Sequence, residues 1–391
     1  MMSSISWVPK GVSKPVVLIT EAMMELLTEI YGDDPYLKNH NDYSYEELCV
    51  PINPTDSLIV CARVKEQGRD SFGVFEVWIL IDEEKYLYFH HDIRISALPL
   101  CSAWLDYPLE GGERGNFLAV GSIEPNIQIF NVDVVSEFRD GKGTPCMVLG
   151  STEDDGHSDS VLGLAWNKEY RNIIASASAD TKVKIWDMVS GKCESTMTDH
   201  TDKVQAVAWN PHSPRSLLTG SFDGTVFLKD GRITSHDGCK WELNAKVESL
   251  AWDPHSEHSF VVSLENGTVK LIDVRTAKSD SGSEFNANEH GKAVTSVSYN
   301  LAIPNLLATG SLDNKVKLWD LSNNQPSCVA SYSPKVWPVC SISFSEENPF
   351  LLAIGGSKGI KIPIIERTTT LEVWDTQSYS GISEKYGNYM K

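Results

Sequence analysis

The chain of 391 residues is 41% hydrophobic and 22% charged, a balance that argues against a wholly disordered or fibrous protein. Its 53 acidic and 34 basic residues give a net charge of −19, which argues against a surface that grips bare nucleic acid through phosphates. No apolar run approaches the roughly 18 residues that a membrane span needs, so no membrane association is predicted.

The chain is predicted to begin with a strand at residues 1–8, which contains the apolar residues Ile5, Trp7 and Val8. Residues 9–55 are predicted to form an N-terminal arm. Within it, four apolar residues three or four positions apart indicate a short helix over 21–30. We expect this arm to pack on, or hang from, the domain that follows.

Residues 56–90 and 91–151 form two weakly patterned units of short alternating strands, such as Phe117–Ser122. The first unit lacks an initial strand, and residues 1–8 are predicted to supply it. A terminal strand that closes a ring of sheets would protect edges that otherwise invite aggregation.

A repeat dominates the middle of the chain. Three similar segments, each starting with valine and ending in Ala-Trp, place Trp166, Trp209 and Trp252 at intervals of 43 residues. Val294–Tyr299 and Val339–Phe344 continue the pattern. Each segment alternates apolar with small or polar side chains, which predicts a strand with one face more buried than the other.

A second series runs in step with the first. Strand pairs are joined by turns at an aspartate that Thr, Gly or Asn follows, and two of them end in Trp-Asp, at 186–187 and 319–320. A histidine lies four residues before the first strand of three copies. A period of about 40–45 residues with a Gly-His start and a Trp-Asp end is typical of a WD40 propeller blade.

The predicted fold is therefore all-β, a seven-bladed WD40 β-propeller over residues 56–391 with a short N-terminal arm. Clear blades are predicted at about 157–199, 200–243, 244–289, 290–332 and 333–391, and degenerate blades at about 56–90 and 91–151. The eight dispersed cysteines, without a Cys-x-x-Cys pair, favour free thiols over disulfides or a zinc site.

The repeated polar residues are predicted to form a structural network within each blade. His157, Asp180 and Trp186 recur as a set with a serine between them, Ser176 or Ser178, of which Ser178 is assigned. A Ser-His-Asp hydrolase triad is the alternative, but an active site has no need of several copies. The remaining members of the predicted network are His200, Asp223, His290, Asp313 and Trp319.

No catalytic, cofactor-binding or metal-binding residue is predicted, and the chain is not expected to be an enzyme or to take a small-molecule substrate. His90 and His91 are adjacent on a strand, so we expect their rings to face opposite ways and not to share an ion. Lys182, Lys184, Lys315 and Lys317 alternate along strands and are expected to form a solvated sheet face.

The rim of the propeller is predicted to dock protein segments. The candidate contact residues are Phe222 and Leu312, next to hairpin aspartates, and Lys335 and Trp337, ahead of the last blade. For Phe222 and Leu312, packing between blades is an equally weighted alternative. Arg275 ends Ile-Asp-Val-Arg, a partial match to the blade ending with which ubiquitin-ligase receptors dock their adaptor.

In order and detail the chain resembles the periodic tryptophan protein 1 family of WD40 proteins. The resemblance is carried by Ile5–Gly11, Tyr31–Tyr36, Asp56–Cys61, His90–Ile93 and Arg171–Asp180, and by Trp166-Asn167 and His200–Gln205. It implies a protein of the nucleus and nucleolus that acts in ribosome biogenesis and is linked to chromatin and rRNA gene activity, without catalysis.

Proteins are the partners that this resemblance implies, either basic ribosomal and pre-ribosomal factors or histones, with RNA contacted only indirectly. The alternative function is a substrate receptor of a cullin-RING ubiquitin ligase, with Arg275 as its adaptor contact. Two features depart from the family. The interval Val12–Ile30 is short where the family has a long acidic segment, and Gly359–Thr370 is expected to interrupt the last hairpin.

Overall fold

The computed structural model of the protein is a ring of seven antiparallel β-sheets, which confirms the predicted seven-bladed propeller. The structure describes residues 2–13, 52–53, 55–67, 70–81, 86–109, 111–134, 142–151, 156–232, 238–276, 290–322, 326–362 and 367–390. The helix expected over 21–30 lies outside these residues. None of the described helices is long and apolar enough to cross a membrane.

The strands are numbered in chain order and grouped into blades 1 to 7. Blade 1 contains β1 (Met2–Val8), β2 (Ser57–Gln67), β3 (Asp70–Ile81) and β4 (Tyr86–Ile95), and blade 2 contains β5 (Pro99–Leu105), β6 (Phe117–Ser122), β7 (Ile127–Asn131) and β8 (Met147–Leu149). Blade 3 contains β9 (Val161–Trp166), β10 (Ile173–Ser178), β11 (Val183–Asp187) and β12 (Lys192–Met197), and blade 4 contains β13 (Val204–Trp209), β14 (Ser216–Ser221), β15 (Thr225–Asp230) and β16 (Cys239–Glu242).

Blades 5 and 7 have three strands each among the described residues. Blade 5 contains β17 (Val247–Trp252), β18 (Ser259–Leu264) and β19 (Val269–Asp273); blade 6 contains β20 (Val294–Tyr299), β21 (Leu306–Ser311), β22 (Val316–Asp320) and β23 (Ser327–Tyr332); and blade 7 contains β24 (Trp337–Phe344), β25 (Leu351–Ile362) and β26 (Arg367–Asp375). Short 3₁₀ helices cover Val274–Thr276, Thr376–Ser378 and Gly387–Met390, and the helix α1 covers Ser380–Tyr386.

The hydrophobic core lies between neighbouring blades. One cluster, for example, joins Leu105 and Phe117 of blade 2 to Val161, Ile174 and Trp186 of blade 3, all buried. Each blade is buried on both faces by its neighbours, which explains why the middle strands are almost continuously apolar or small. Burial of this apolar surface is the main force that holds the blades together.

The N-terminal strand closes the ring. β1 pairs antiparallel with β2, with Trp7 opposite Ile59, and forms the innermost strand of blade 1. The indole Nε1 of Trp7 donates to the Ser343 carbonyl oxygen of β24, at 3.0 Å, which ties blade 1 to blade 7. The start of the arm runs over blade 2, where Ser13 Oγ donates to Asp133 Oδ1 at 2.6 Å.

Blade 7 differs from expectation in two ways. The insert at 359–370 lengthens the hairpin instead of interrupting it, because Ile360 pairs with Thr369 and Ile362 pairs with Arg367 beyond an irregularity in the register. After β26 the chain forms α1, which the sequence analysis does not predict. Ile382 and Tyr386 of α1 are buried in the cluster of blades 6 and 7, so this helix covers the outside of the ring there.

Candidate functional site

The repeated polar residues form a closed hydrogen-bond chain inside blade 3. His157 Nδ1 lies 2.9 Å from Asp180 Oδ2, and His157 Nε2 lies 2.7 Å from Ser176 Oγ. Trp186 Nε1 donates to the same Ser176 oxygen at 2.8 Å. Because an ionised carboxylate only accepts, the imidazole donates from Nδ1, the serine hydroxyl donates to Nε2, and the indole completes the chain.

Ser178, the serine assigned from sequence, is not part of this chain, so that assignment is wrong. Ser176 and Ser178 are two residues apart on β10 and share a face, so alternation does not distinguish them. The register between β10 and β9 shifts at Ser178 through an extra residue in β9, and Ser178 has other hydrogen-bond partners. Ser178 Oγ donates to the Asp159 carbonyl at 3.1 Å and accepts from the Asp180 backbone N–H, so it shapes the hairpin.

Blade 6 repeats the complete chain with a threonine in the serine's place. His290 bonds Asp313 at 2.9 Å and Thr309 at 2.9 Å, and Trp319 donates to Thr309 at 2.9 Å. The threonine at this position was absent from the sequence-based network, although Thr-Gly-Ser before the hairpin aspartate marks it.

Blade 4 has the first half of the chain. His200 bonds Asp223 at 3.1 Å and Thr219 at 2.9 Å, but Lys229 stands where the tryptophan is expected. The buried Lys229 ammonium pairs instead with Asp199 at 2.5 Å. In blade 4, an ion pair between Lys229 and Asp199 thus stands in place of the missing indole.

These chains stabilise the fold and are closed to substrates. The His157 and His290 side chains have no exposed surface, and each has both ring nitrogens engaged. Burial alone would raise the pKa of Asp180, but hydrogen bonds from His157 and from two backbone amides outweigh it and hold that pKa well below its usual range. Hydrogen bonds from the paired histidine and from backbone amides also lower the pKa of Asp223 and Asp313 against the effect of burial, and such bonded carboxylates suit a structural role.

A second repeated contact holds neighbouring blades together, at the ends of the first strands. The amide Nδ2 of Asn167, Asn210 and Asn300 donates to a carbonyl of the next blade, at 2.7, 3.0 and 2.6 Å respectively. All three are buried and follow the last residue of a first strand. This recurrence stands in the sequence, after Trp166, Trp209 and Tyr299, but was not assigned a role.

Two of the four lysines expected on a solvated sheet face, Lys184 and Lys317, are buried. Lys184 and Lys317 are 7% and 5% exposed, and their ammonium groups lie 5.9 and 5.8 Å from the ring centroids of Trp186 and Trp319. The expectation was wrong for these two residues because each stem packs along a buried indole. They offer no phosphate-binding stripe.

His90 and His91 do not face opposite ways as expected. A register shift opposite Val77 and Trp78 places His90 in a bulge, and the Nδ1 atoms of the two rings lie 2.6 Å apart. Both residues are buried. Among the described residues, no three His, Cys, Asp or Glu side chains cluster as a metal site would require.

We expect this histidine pair to make the stability of the fold sensitive to acid. Burial first, and then the charge of His90, lowers the pKa of His91 to about 3, whereas an unfolded histidine titrates near 6.5. Below about pH 6.5 the unfolded chain therefore binds a proton that the folded chain does not, and stability falls until the pH reaches the folded value.

We expect the free energy of unfolding to fall by about 1.4 kcal/mol per pH unit per such histidine between about pH 6 and 4. His91→Asn keeps a polar atom near Nδ1 and removes this proton from the balance. Urea titrations at a series of pH values give the free energy of unfolding as a function of pH. The slope of that dependence should be shallower by the equivalent of one proton in the variant. An unchanged slope would contradict the assignment to His91.

The rim residues lie on one face of the ring, which carries the hairpins between second and third strands and the connections between blades. We call it the hairpin face. A groove of about 560 Å³ opens on it beside blade 4, where that blade meets blade 5. It is lined by Asp199, Thr201, Phe222, Asp223, Gly224, Thr225, Phe227, Lys240, Glu242, Asn244, Ala245, Lys246 and Glu265, and is called the blade 4–5 groove below.

Carboxylates outnumber ammonium groups in the blade 4–5 groove by four to two. Glu242 is the most exposed of them, with 71% of its side-chain surface open, and pairs with Lys240 at 2.8 Å. Glu265 is 43% exposed and pairs with Lys246 at 3.5 Å. Solvated pairs of this kind exchange partners at little cost, so the groove can accept a cation from another protein.

Phe222 is half-buried in this groove, with the Lys246 ammonium 5.4 Å from its ring centroid. Leu312 is half-buried in the corresponding hairpin of blade 6. Lys335 is exposed, and its backbone N–H donates to Glu372 at 2.7 Å. Trp337 is 44% exposed, in a separate pocket between blades 6 and 7. The four candidates therefore divide between two places on the hairpin face.

Arg275, the adaptor contact of the alternative function, is exposed in the 3₁₀ helix after β19. Its guanidinium forms a fork with the side chain of Asp273, Nη2 to Oδ2 at 2.5 Å. This is the same arrangement that Arg232 makes with Asp230 in blade 4. Because the same Arg–Asp pairing occurs in two blades, we interpret it as a local structural feature of how these blades end.

Known proteins that resemble this chain share its repeats. The family model "WD domain, G-beta repeat" matches residues 148–187, 191–230 and 283–320. An uncharacterized WD repeat-containing protein of Schizosaccharomyces pombe is 35% identical over 375 residues, covering 90% of this chain and 68% of that protein. The periodic tryptophan protein 1 homolog of Drosophila melanogaster is 29% identical, covering 82% and 70%.

Periodic tryptophan protein 1 of Saccharomyces cerevisiae is 30% identical over 213 residues, covering 42% of this chain and 36% of that protein. The name suits the geometry, because three first-strand tryptophans link consecutive blades here. Trp209 and Trp252 each donate to a carbonyl of the preceding blade, at 3.1 and 3.2 Å, as Trp7 does. The chain is a WD40 protein of the periodic tryptophan protein 1 family.

Proposed function

We propose that this WD40 scaffold is non-catalytic and acts in the nucleus and nucleolus, in ribosome biogenesis and chromatin association. It binds proteins directly, and its partners there are basic, either ribosomal and pre-ribosomal factors or histones; RNA is contacted through them. Family membership supports the process, and the blade 4–5 groove supports the partner chemistry.

The observation that carries this proposal is the pairing of carboxylates with an aromatic wall. Asp199, Glu242 and Glu265 border a groove whose sides include Phe222 and Phe227. A lysine or arginine of a partner can place its stem along a ring and its charge among the carboxylates. The net charge of −19 adds a long-range attraction for basic chains and speeds their encounter with this face.

The way in which the repeated histidines and hydroxyls are used supports the non-catalytic part of this proposal. In blades 3 and 6 each histidine is locked between an aspartate and a hydroxyl, and the hydroxyl also accepts an indole N–H. A nucleophile needs a free approach and a base that can move a proton to it. Hydroxyls held between a histidine and an indole, as Ser176 and Thr309 are, do not provide this.

The double variant Glu242→Lys/Glu265→Lys is expected to abolish function without unfolding the protein. Both residues are exposed, so the change should alter the thermal midpoint little while reversing the charge of the groove. Cells depleted of the protein should accumulate rRNA precursors, and the wild-type chain but not this variant should restore processing.

A matched control is Glu169→Lys/Glu194→Lys, which makes the same charge change at exposed positions of blade 3 outside the groove. It should restore processing as well as the wild type does. Normal rRNA processing in depleted cells would overturn the proposed process. Full rescue by the groove variant would overturn the proposed docking position.

A further inference from the structure

A second position on the hairpin face has the opposite charge. It lies between blades 6 and 7, in a pocket of about 290 Å³ lined by Asp313, Asn314, Lys315, Ser333, Pro334 and Trp337. Lys335 precedes Trp337 by two residues, and Lys358 lies directly across the strand pair from it. We call Lys315, Lys335, Trp337 and Lys358 the tryptophan patch.

Trp337 is the most unusual residue of this patch. It is 44% exposed, whereas the interface tryptophans Trp186 and Trp319 are 0% and 3% exposed. The Lys358 ammonium lies 4.6 Å from its ring centroid, a cation–π distance. An exposed indole held at the start of a rigid strand is a ready anchor for a partner, because little side-chain entropy is lost on binding.

The ammonium groups of the three lysines in the tryptophan patch are available to a partner. No ion pair joins Lys315, Lys335 or Lys358 to a carboxylate in the part of the chain that the structure describes, unlike Lys240 and Lys246 in the groove beside blade 4. The nearby Asp313 is engaged by His290 and by the backbone N–H groups of Gly291 and Lys315.

Glu372, the other carboxylate nearby, is bound from two sides. It accepts the Tyr332 hydroxyl at 2.5 Å and the Lys335 backbone N–H at 2.7 Å. The acidic groups of this region are therefore directed inward, while its ammonium groups surround an exposed ring. In a chain with a net charge of −19, such a patch is complementary to acidic partners, which the rest of the surface repels.

We propose that the tryptophan patch docks an acidic segment of a partner protein that carries a large apolar side chain. The apolar side chain packs on Trp337, and flanking Asp and Glu residues pair with Lys315, Lys335 and Lys358. This partner differs in chemistry from the basic proteins assigned to the blade 4–5 groove, so the scaffold can hold two unlike partners on one face.

A peptide is favoured over single-stranded nucleic acid. Nucleic-acid grooves combine a basic track with several stacking rings, and the patch offers one ring and three cations within a strongly acidic molecule. An extended peptide needs only one anchor and a short charged flank.

The test uses the full chain and a fluorescein-labelled peptide, Asp-Glu-Asp-Phe-Leu-Glu-Asp-Glu, in anisotropy titrations. We expect saturable binding that weakens as salt is raised and that drops at least about tenfold in Trp337→Ala. Lys358→Glu should weaken it similarly, and Trp337→Phe should recover part of the loss. Lys192→Glu, the same charge change on blade 3, should have no effect, and a peptide with Ser-Gly in place of Phe-Leu should bind weakly.

Three results would overturn the proposal: no binding by the wild-type chain, equal binding by Trp337→Ala with an unchanged thermal midpoint, or tighter binding of single-stranded oligothymidylate. The groove variant Glu242→Lys/Glu265→Lys should bind the acidic peptide at least as well as the wild type. Failure here is therefore distinguishable from failure of the basic-partner proposal.

Discussion

Replacing Trp186 by alanine is expected to lower the free energy of unfolding by about 3–5 kcal/mol. The indole is fully buried in the cluster that joins blades 2 and 3. Its removal leaves a cavity and also takes away the donor to Ser176, whose hydroxyl links it to His157. The loss therefore combines packing with a broken polar chain.

Urea denaturation followed by far-UV circular dichroism measures this loss. Trp337→Ala is the matched control, since it deletes the same side chain from an exposed position and should cost less than about 1 kcal/mol. Similar losses in the two variants would contradict the view that interface tryptophans hold the blades together.

Glu76→Ala is expected to cost about 3–5 kcal/mol, the second large effect. Glu76 is 3% exposed in blade 1 and accepts from Lys65 at 2.8 Å and from the Trp78 indole at 3.2 Å, with Arg63 3.5 Å away. Without Glu76, the positive charges of Lys65 and Arg63 are less well balanced by negative charge inside blade 1. Trp78 aligns with Trp186 of blade 3, so Glu76 takes over the acceptor role of Ser176.

The control is Glu242→Ala, which removes an exposed carboxylate from its pair with Lys240 and should cost less than about 1 kcal/mol. Glu76→Gln should lie between the two, because it keeps an acceptor for the indole but removes the charge. A loss for Glu76→Ala no greater than that for Glu242→Ala would show that the buried cluster contributes little net stability.

The ring of blades could be predicted because its marks are local in sequence. Tryptophans 43 residues apart, hairpin aspartates and preceding histidines each report one position of a four-stranded unit, and seven units close a ring. Even the distant partnership of Met2–Val8 with β2 could be predicted, because the first irregular unit lacked a strand.

Details that depend on backbone irregularity could not be predicted in this way. Alternation cannot decide between Ser176 and Ser178, because residues two apart on a strand share a face, and the bulge at His90 reversed the expected direction of a ring. The burial of Lys184 depends on a neighbouring indole and not on its own position in the strand. Functional surfaces are harder still to predict from sequence, because they combine residues from different blades.

The two docking positions illustrate this point. Phe222 is predicted as a contact because it lies next to a hairpin aspartate, and Trp337 because it lies ahead of the last blade, but the sequence does not show that Glu242 and Glu265 gather around the first. Nor did it show that Lys315 and Lys358 lie beside the second, since they are 22 and 21 residues from it in sequence. The opposite charges of the two positions are the basis on which we propose partners of unlike chemistry.

The proposed binding of basic proteins by this scaffold can be measured by quantitative affinity purification from nuclear extract, with nuclease treatment. Tagged wild type, Glu242→Lys/Glu265→Lys and the control Glu169→Lys/Glu194→Lys are compared at equal expression. We expect basic ribosomal factors or histones to copurify with the wild type and the control after nuclease, and to be depleted from the groove variant. Copurification that vanishes with nuclease, or that is equal for all three chains, would contradict it.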